Sequence, residues 1–403
     1  MSTSRLRFYE RSPAHQHLSE SDRYLLKGPV ASKRVVIIGT GTVGQEHMYV
    51  AFLLGRMRVH GIYDTEPDSM DAAESHFQSY SEQSVVRYSG LKEACNDPEA
   101  DALIICTPNY THFEVLQVAM QSGKPILLEK PMATILSDAA AIVAASEAYS
   151  SFIQVGLQYR YKSQYVEAFH EARTRLSLGG IKTISMSEYR PPFLDKVKQW
   201  NKFNKKSGGT LIEKCCHYFD LMNMMAESTP VRVYASGGQS VNFLDFKHEG
   251  LPSDIDDHAF VIIDYENGIK ANFSLNMFCH DFTEEMVIVG DKGSLKATEK
   301  VSAHDEKSCE SIVAIELGDP YGSRRIEVAY APDIRKSGHQ GATFFEHVAF
   351  SDQLNGKRVQ SATPLQGLWS VIVASAAQTS IMTRRAVDIP SFMSDNNLSQ
   401  YLE

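Results

Sequence analysis

The sequence predicts an α/β protein in two parts: a parallel sheet with crossover helices over residues 33–158, then an α+β part over 159–403 built on a large, mostly antiparallel sheet. Three observations carry that expectation. The apolar run Val35-Val36-Ile37-Ile38 meets Gly39-Thr40-Gly41-Thr42-Val43-Gly44, a G-x-G-x-x-G turn, and then helix-forming sequence. From residue 33 to about 157, short β-rich runs alternate with amphipathic stretches, the pattern of strands joined by crossover helices. After Tyr161 the rhythm changes to longer strands separated by turns such as Glu266-Asn267-Gly268 and Gly290-Asp291-Lys292-Gly293.

In the first part the runs predict strands at 34–38, 59–63, 85–88, 102–106, 125–128 and 152–156, with helices near 44–56, 68–79, 111–122 and 135–149. In the second, strands are expected at 181–189, 231–240, 258–265, 269–277 and 284–289, and helices at 210–226, 340–356 and 364–384. A chain of 403 residues is too long for one ordinary core, so two domains are the natural division. Met1 to Ser32 is polar, has no apolar run long enough for a signal peptide or a membrane span, and reads as an N-terminal arm.

Hydrophobic content of 43% and charged content of 22% fit a soluble globular protein. With 40 basic and 49 acidic residues the formal net charge is -9, which offers no general attraction to nucleic acid or an anionic membrane, so small molecules are the expected partners. The six cysteines show neither a C-x-x-C pair nor zinc-ligand spacing, and the adjacent Cys215 and Cys216 suit a disulfide poorly. Reduced thiols in a cytoplasm are the simplest account.

The glycine turn gives the first chemistry. Gly39 permits the tight turn, Gly41 lets the backbone approach a pyrophosphate, and Gly44 lets the next helix pack closely, with Thr40, Thr42 and Val43 completing the cradle. Asp64 ends the next β-branched run, 20 residues after Gly44, where a carboxylate accepts hydrogen bonds from an adenosine ribose. That carboxylate would repel the extra phosphate of NADP, so NAD is the expected cofactor. A glycine-rich turn in some other α/β protein is the alternative.

Two further segments lie at the carboxyl edge of the predicted sheet, where ligands of such folds bind. Cys106-Thr107-Pro108-Asn109-Tyr110-Thr111-His112 follows a buried strand, making Cys106, Thr107, Pro108, Asn109 and His112 candidate cofactor contacts. Glu129 and Lys130 leave the next strand just before Pro131 and join that set. The lysine is either pulled toward neutrality by burial or held charged by Glu129 to donate to a substrate hydroxyl. A surface Glu–Lys pair at a strand end is the alternative.

The segment Gly208-Gly209-Thr210 leading to Asp220 predicts a helix capped near Thr210, with Glu213, His217 and Asp220 at i, i+4 and i+7 on one face. Ile212, Cys215, Phe219 and Met222 form the apolar stripe beside it. A histidine beside a carboxylate is a general base near neutral pH, so oxidation is expected to rise through an imidazole pKa of about 6.5 before any shift from Glu213. A structural histidine is the alternative.

Together these residues resemble the glucose-fructose oxidoreductase and inositol dehydrogenase (Gfo/Idh/MocA) family. The resemblance rests on Gly39-x-Gly41-x-x-Gly44-x-x-His47, Thr107-Pro108-Asn109-x-x-His112, Glu129-Lys130-Pro131, Tyr159-Arg160, and Gly208-Gly209 leading to His217-x-x-Asp220. It spans about residues 33–385. It implies an N-terminal Rossmann domain followed by an open-faced sheet domain that binds substrate and forms dimers or tetramers, with the nicotinamide between the two. It also implies Lys130 and His217 at the catalytic positions. Glu213 falls where the family commonly has aspartate, and Lys214, Cys215 and Cys216 replace residues that are usually small or apolar.

The resulting expectation is an NAD-dependent dehydrogenase acting on a secondary alcohol of a sugar, sugar derivative or cyclitol. His217 would take the hydroxyl proton, Lys130 would steady the oxygen, and Glu213 would orient His217 or a substrate hydroxyl. Arg160, Tyr161 and Trp200 would help frame the substrate. An NAD-dependent glycoside hydrolase using transient oxidation and a non-catalytic NAD-binding regulator are the rival readings. Lys196, Lys198, Lys202, Lys205 and Lys206 form either an anion-contacting loop or a solvated basic one. Asp256-Asp257-His258 and Gly338-His339-Gln340-Gly341 either line the substrate side or are turn chemistry. No metal is expected, because metal ligation at His258 has no spacing support.

Overall fold

A computed structural model of the chain describes residues 33–302, 309–318 and 322–402. The expected arm at 1–32 lies outside the described residues. The first part is a six-stranded sheet of β1 (Lys33–Ile38), β2 (Met57–Tyr63), β3 (Val86–Arg87), β4 (Ala102–Ile105), β5 (Ile126–Glu129) and β6 (Ile153–Gly156). Its order is β3-β2-β1-β4-β5-β6 with every pair parallel. Both faces of the central strands are covered, which is why Val35 to Ile38 and Ala102 to Ile105 are fully buried and read as unbroken apolar runs. The order reverses between β1 and β4, so the crevice outside their carboxyl ends is the natural ligand site. The sequence misses a helix at Leu91–Asn96, which buries only Ala94 and Cys95 and is too short to show a period.

The second part is a nine-stranded sheet. Its strands are β7 (Ile181–Tyr189), β8 (Pro230–Gly238), β9 (His258–Tyr265), β10 (Lys270–Asn276), β11 (Phe282–Gly290), β12 (Ser294–Val301), β13 (Cys309–Glu316), β14 (Ser323–Glu327) and β15 (Val387–Asp388). The order is β14-β13-β12-β11-β7-β10-β9-β8-β15, and all pairs are antiparallel except β7 with β10. Strands β12 to β14 were not read from the sequence, where Lys296, Lys300, Arg324 and Arg325 dilute the apolar alternation. One face of this sheet is buried under helices. The other leaves Tyr234, Phe260 and Ile262 exposed, Phe260 by 63%.

The helix expected over 210–226 is two helices, Thr210–Glu213 and Cys216–Ala226. They break at Lys214, whose φ is -107°, where its side chain is drawn toward the sheet by Glu188. The stripe Ile212, Cys215, Phe219 and Met222 is buried as expected, but so are Tyr218, His217 and Asp220.

Two late helices return to the first sheet. In Ala342–Leu354, Phe350 packs with Val35, Ile37 and Leu127. Pro364–Thr383 opens with a reciprocal Thr363–Gln366 capping box. A Cβ on its Gly367 would lie 2.7 Å from Met132 Sδ, so glycine there permits the close approach. These contacts bring the carboxyl edge of the first sheet against the Thr210–Ala226 segment. Among the described residues no helix is long and apolar enough to cross a membrane.

Candidate active site

The glycine turn is shaped by what its side chains would hit. Gly39 has φ +92°, and a Cβ there would lie 2.6 Å from the backbone of Cys106 and Thr107, so the turns after β1 and β4 touch. A Cβ on Gly44 would lie 2.0 Å from the Gly39 carbonyl oxygen, whereas one on Gly41 would meet nothing within 4 Å. The helix Thr42–Leu54 begins at Gly41 with no side-chain cap and no acidic residue in its first turn. Its first amides are therefore open to an anion. Asp64 accepts from the Thr40 amide at 2.7 Å and from the Glu66 amide at 2.9 Å, which pins the carboxylate at the end of β2. Open space, bare amides and a fixed acid fit a dinucleotide. Thr40 is buried, Val43 half-buried and Thr42 exposed at this turn.

Several expected cofactor contacts face elsewhere. His112 is buried, with Nδ1 2.8 Å from the Pro131 carbonyl and Nε2 2.8 Å from the Thr107 carbonyl, so it braces the two edge turns together. Asn109, which follows Pro108, donates to the Glu213 carboxylate and to the Ser207 carbonyl at 3.2 Å. Glu129 turns inward to His47 Nε2 at 3.0 Å, and His47 Nδ1 lies 2.7 Å from His347 Nε2. Burial pushes Glu129 up, but His47 and Lys130 outweigh it and hold the carboxyl below the usual range. Burial and then Glu129 push the neighbouring Glu346 well above it. His47, Glu129 and Glu346 offer donor atoms within 4.8 Å of one another, the chemistry of a metal ligand set. No ion is needed to explain the His47–Glu129 contact, which is already a hydrogen bond. Cys106 is half-buried, and burial raises its thiol.

The candidate reacting groups meet where the edge of the first sheet faces the Thr210–Ala226 segment. Lys130 Nζ donates to the Glu213 carbonyl at 3.0 Å and lies 3.9 Å from Glu213 Oε1. Burial opposes its charge, yet Glu213, then Cys216 and Glu129, raise Lys130 above the ordinary lysine value. Of the two states left open by the sequence, the geometry supports the charged one. His217 is buried and stacks on Tyr159, with ring centroids 4.0 Å apart and planes at 8°. Burial, then the positive groups Lys130 and Lys214, pull it well below the ordinary imidazole value. The expected titration near the free-histidine pKa is therefore corrected, since Glu213 is engaged by Asn109 and Lys130 and does not raise the imidazole.

The break at Lys214 also corrects the shared face. Glu213 points to Asn109, His217 stacks on Tyr159, and Asp220 receives Arg160 through Nε at 2.7 Å and Nη2 at 2.5 Å. Arg160 and Tyr161 line a separate cavity of about 1350 Å³ whose lining includes neither Lys130 nor His217. This differs from the expected substrate frame. Trp200 is half-buried in the turn Val197–Lys202. Within the expected anion loop, Lys198 pairs with Glu66 and Lys202 with Asp195. Lys196 faces Glu213 and Lys130, and burial lowers it. Asp257 accepts the Ser240, Val241 and Asn242 amides and holds His258 Nδ1 at 2.8 Å, which is loop capping. His339 pairs with Glu46 at 2.8 Å, and its ring centroid lies 6.0 Å from that of Tyr159.

Sequence reasoning left Lys162, Glu188 and Lys214 without a role. A signal existed for Glu188: it follows Ile184 and Met186 at the inward positions of β7, where alternation calls for an apolar residue.

An anion-ready helix end at the switch point of a parallel sheet, a carboxylate fixed at the end of the next strand, and a lysine and histidine facing that edge have the arrangement of a nicotinamide-dependent oxidoreductase. Comparison with known proteins agrees. The profile described as "Oxidoreductase family, NAD-binding Rossmann fold" matches residues 33–157, and "Oxidoreductase family, C-terminal alpha/beta domain" matches 174–389. The chain belongs to the GFO/IDH/MocA oxidoreductase family and is an NAD-binding oxidoreductase. It is 25% identical to the oxidoreductase YrbE of Bacillus subtilis over 89% of this chain and 97% of that protein. It is 28% identical to glucose-6-phosphate 3-dehydrogenase of Bacillus subtilis over 49% of this chain and 54% of that one. The figure for inositol 2-dehydrogenase of Paracoccus denitrificans is 31%, over 33% of this chain and 39% of that one. Among solved structures, levoglucosan dehydrogenase in complex with NADH superposes with a TM-score of 0.72 at 20% identity, over 89% of this chain and 99% of that one.

Proposed function

We propose that this protein oxidises a secondary hydroxyl of a sugar, sugar derivative or cyclitol, with residues 33–158 holding NAD and 159–403 holding substrate. The observation that carries the reading is Lys130, its Nζ 3.0 Å from the Glu213 carbonyl and 3.9 Å from Glu213 Oε1, set against the segment that presents the buried His217 stacked on Tyr159. NAD, when bound, supplies the hydride acceptor. The Lys130 ammonium donates to the substrate oxygen and favours the charge that develops there. His217, neutral and able to accept, takes the hydroxyl proton. Glu213 and Asn109 fix Lys130 over the reacting centre, and Gly41, the first amides of its helix and Asp64 hold the dinucleotide. The names of the inositol and glucose-6-phosphate relatives support the substrate class.

The exposed row Tyr234, Phe260 and Ile262 on the open sheet face supports a homo-oligomer, because an apolar sheet face in water invites a second copy. Screening sugars, sugar phosphates and inositols with NAD by nicotinamide absorbance tests the function. Stoichiometric reduced cofactor is expected. Consumption of a glycoside without net reduction would replace the reading by transient-oxidation hydrolysis, and binding of NAD with no turnover on any polyol would favour a regulator.

A further inference from the structure

Three glutamates occupy one rung of the large sheet and face inward. Glu188 of β7 is in register with Glu284 of β11, and Glu284 with Glu299 of β12, all three buried. Two lysines lie on this rung. Lys162 Nζ is 2.6 Å from Glu284 Oε2 and 2.7 Å from Glu299 Oε1, while Lys214 Nζ is 3.1 Å from Glu188 Oε1 and donates to the Tyr159 hydroxyl. Burial and the Glu284 charge raise Glu299 despite Lys162, and burial lowers Lys214 despite Glu188. Tyr159 brings both lysines up to the candidate base. Lys162 Nζ lies 4.2 Å and Lys214 Nζ 4.6 Å from the centroid of the ring on which His217 stacks.

A protonated His217 would add a positive charge to a stack already flanked by two lysines. Among the described residues its Nδ1 has no hydrogen-bond partner. The titratable groups that face it are Lys130 after β5, Lys162 after Tyr159, Lys214 at the helix break and His339 before Ala342. Arg190 shares Glu188 with Lys214, its Nη1 3.5 Å from Oε1. The nearby acids are engaged elsewhere: Glu213 by Asn109 and Lys130, Asp220 by Arg160, and Glu46 by His339.

We infer that Lys214 is a positioning residue for the reaction: by donating to the Tyr159 hydroxyl it fastens that ring against His217, and its place beside the stack opposes a second positive charge on the imidazole, which is thereby kept fixed as a proton acceptor. The catalytic consequence rests on the proposed role of His217; the effect on the ring's charge does not.

The test is a histidine 15N NMR titration of the full chain with NAD, with the His217 signal identified by its loss in His217→Asn. In the unaltered protein the ring should titrate well below the ordinary midpoint of about 6.5. Lys214→Met keeps the stem and removes the charge. It should raise the His217 midpoint by about one unit, and Lys214→Arg should restore it. An unaltered ring that titrates near the ordinary value, or an unmoved midpoint in a folded Lys214→Met protein that binds NAD normally, overturns the inference. If Lys214→Met fails to fold, Tyr159→Phe removes the hydroxyl that holds the lysine and should shift the midpoint the same way; no shift there also overturns it. Full turnover in His217→Asn would instead remove the proton-acceptor reading and leave the titration result standing.

Discussion

The cofactor turn and the reacting centre are built in opposite ways. At the turn, function comes from side chains that are missing: Gly39, Gly41 and Gly44 let backbone approach backbone and leave helix amides bare. At the proposed reacting centre it comes from acidic and basic side chains forced close together, Lys130 on Glu213 and Lys214 on Glu188 beneath the Tyr159–His217 stack. A backbone cradle is specified by a short local sequence, and charge near His217 is specified by partners far along the chain. Damage should differ accordingly: steric and binary at the turn, graded and pH-dependent at the centre.

The largest expected effect lies at the centre. Lys130→Ala should lose about 10² to 10⁴ in kcat, the scale of a positioned proton-transfer or oxyanion group, while NAD affinity measured by calorimetry stays near that of the unaltered protein. Turnover within a few-fold of normal would take Lys130 out of the chemistry. Next come paired substitutions within the turn. Gly44→Ala drives a methyl into the Gly39 carbonyl and should cost about 1–3 kcal/mol of stability, read as a lowered Tm. Gly41→Ala has room in the protein and should leave Tm unchanged while weakening NAD binding, because its methyl enters the cradle. Equal behaviour of the two variants would erase the distinction between packing and ligand glycines.

Asp64→Ser should act more gently, narrowing the preference for NAD over NADP by roughly tenfold in the ratio of kcat/KM values, the scale of one lost charge-assisted contact. Equal or tighter NADP binding by the unaltered protein would overturn that role. The smallest effect on the chemistry is expected furthest from both regions. Ile262→Asp on the open sheet face should shift sedimentation toward monomer while the monomer still binds NAD, and an unchanged assembly would place the contact elsewhere.

The contrast also explains what the sequence made legible. Gly39 to Gly44 and Asp64 are local, so the strand, turn and acid could be read together, and Lys130 announced itself by leaving a buried strand. The helical spacing of Glu213, His217 and Asp220 was misleading because Lys214 breaks the helix, and the attraction that accompanies the break comes from Glu188 on a strand across the core. Asn109 and His112 were placed on the correct edge, but the atoms they bind, on Glu213, Thr107 and Pro131, depend on how the two parts close. Arg160 had no local cue that Asp220 would take both ends of its guanidinium.

Glu346 has a consequence for how stability changes as pH rises. Among the described residues its two oxygens are buried without a partner, and burial beside Glu129 raises its pKa well above the ordinary value. The folded chain thus binds a proton there that the unfolded chain has released above about pH 4.3. The contribution of this group to stability falls as pH rises from that point through the raised pKa, the reverse of an ion-paired carboxylate. Enzyme held just above the ordinary carboxyl pKa should show the infrared carbonyl stretch of an undissociated acid, absent in Glu346→Gln. The same substitution should make unfolding less sensitive to rising pH, because an amide has no proton to surrender.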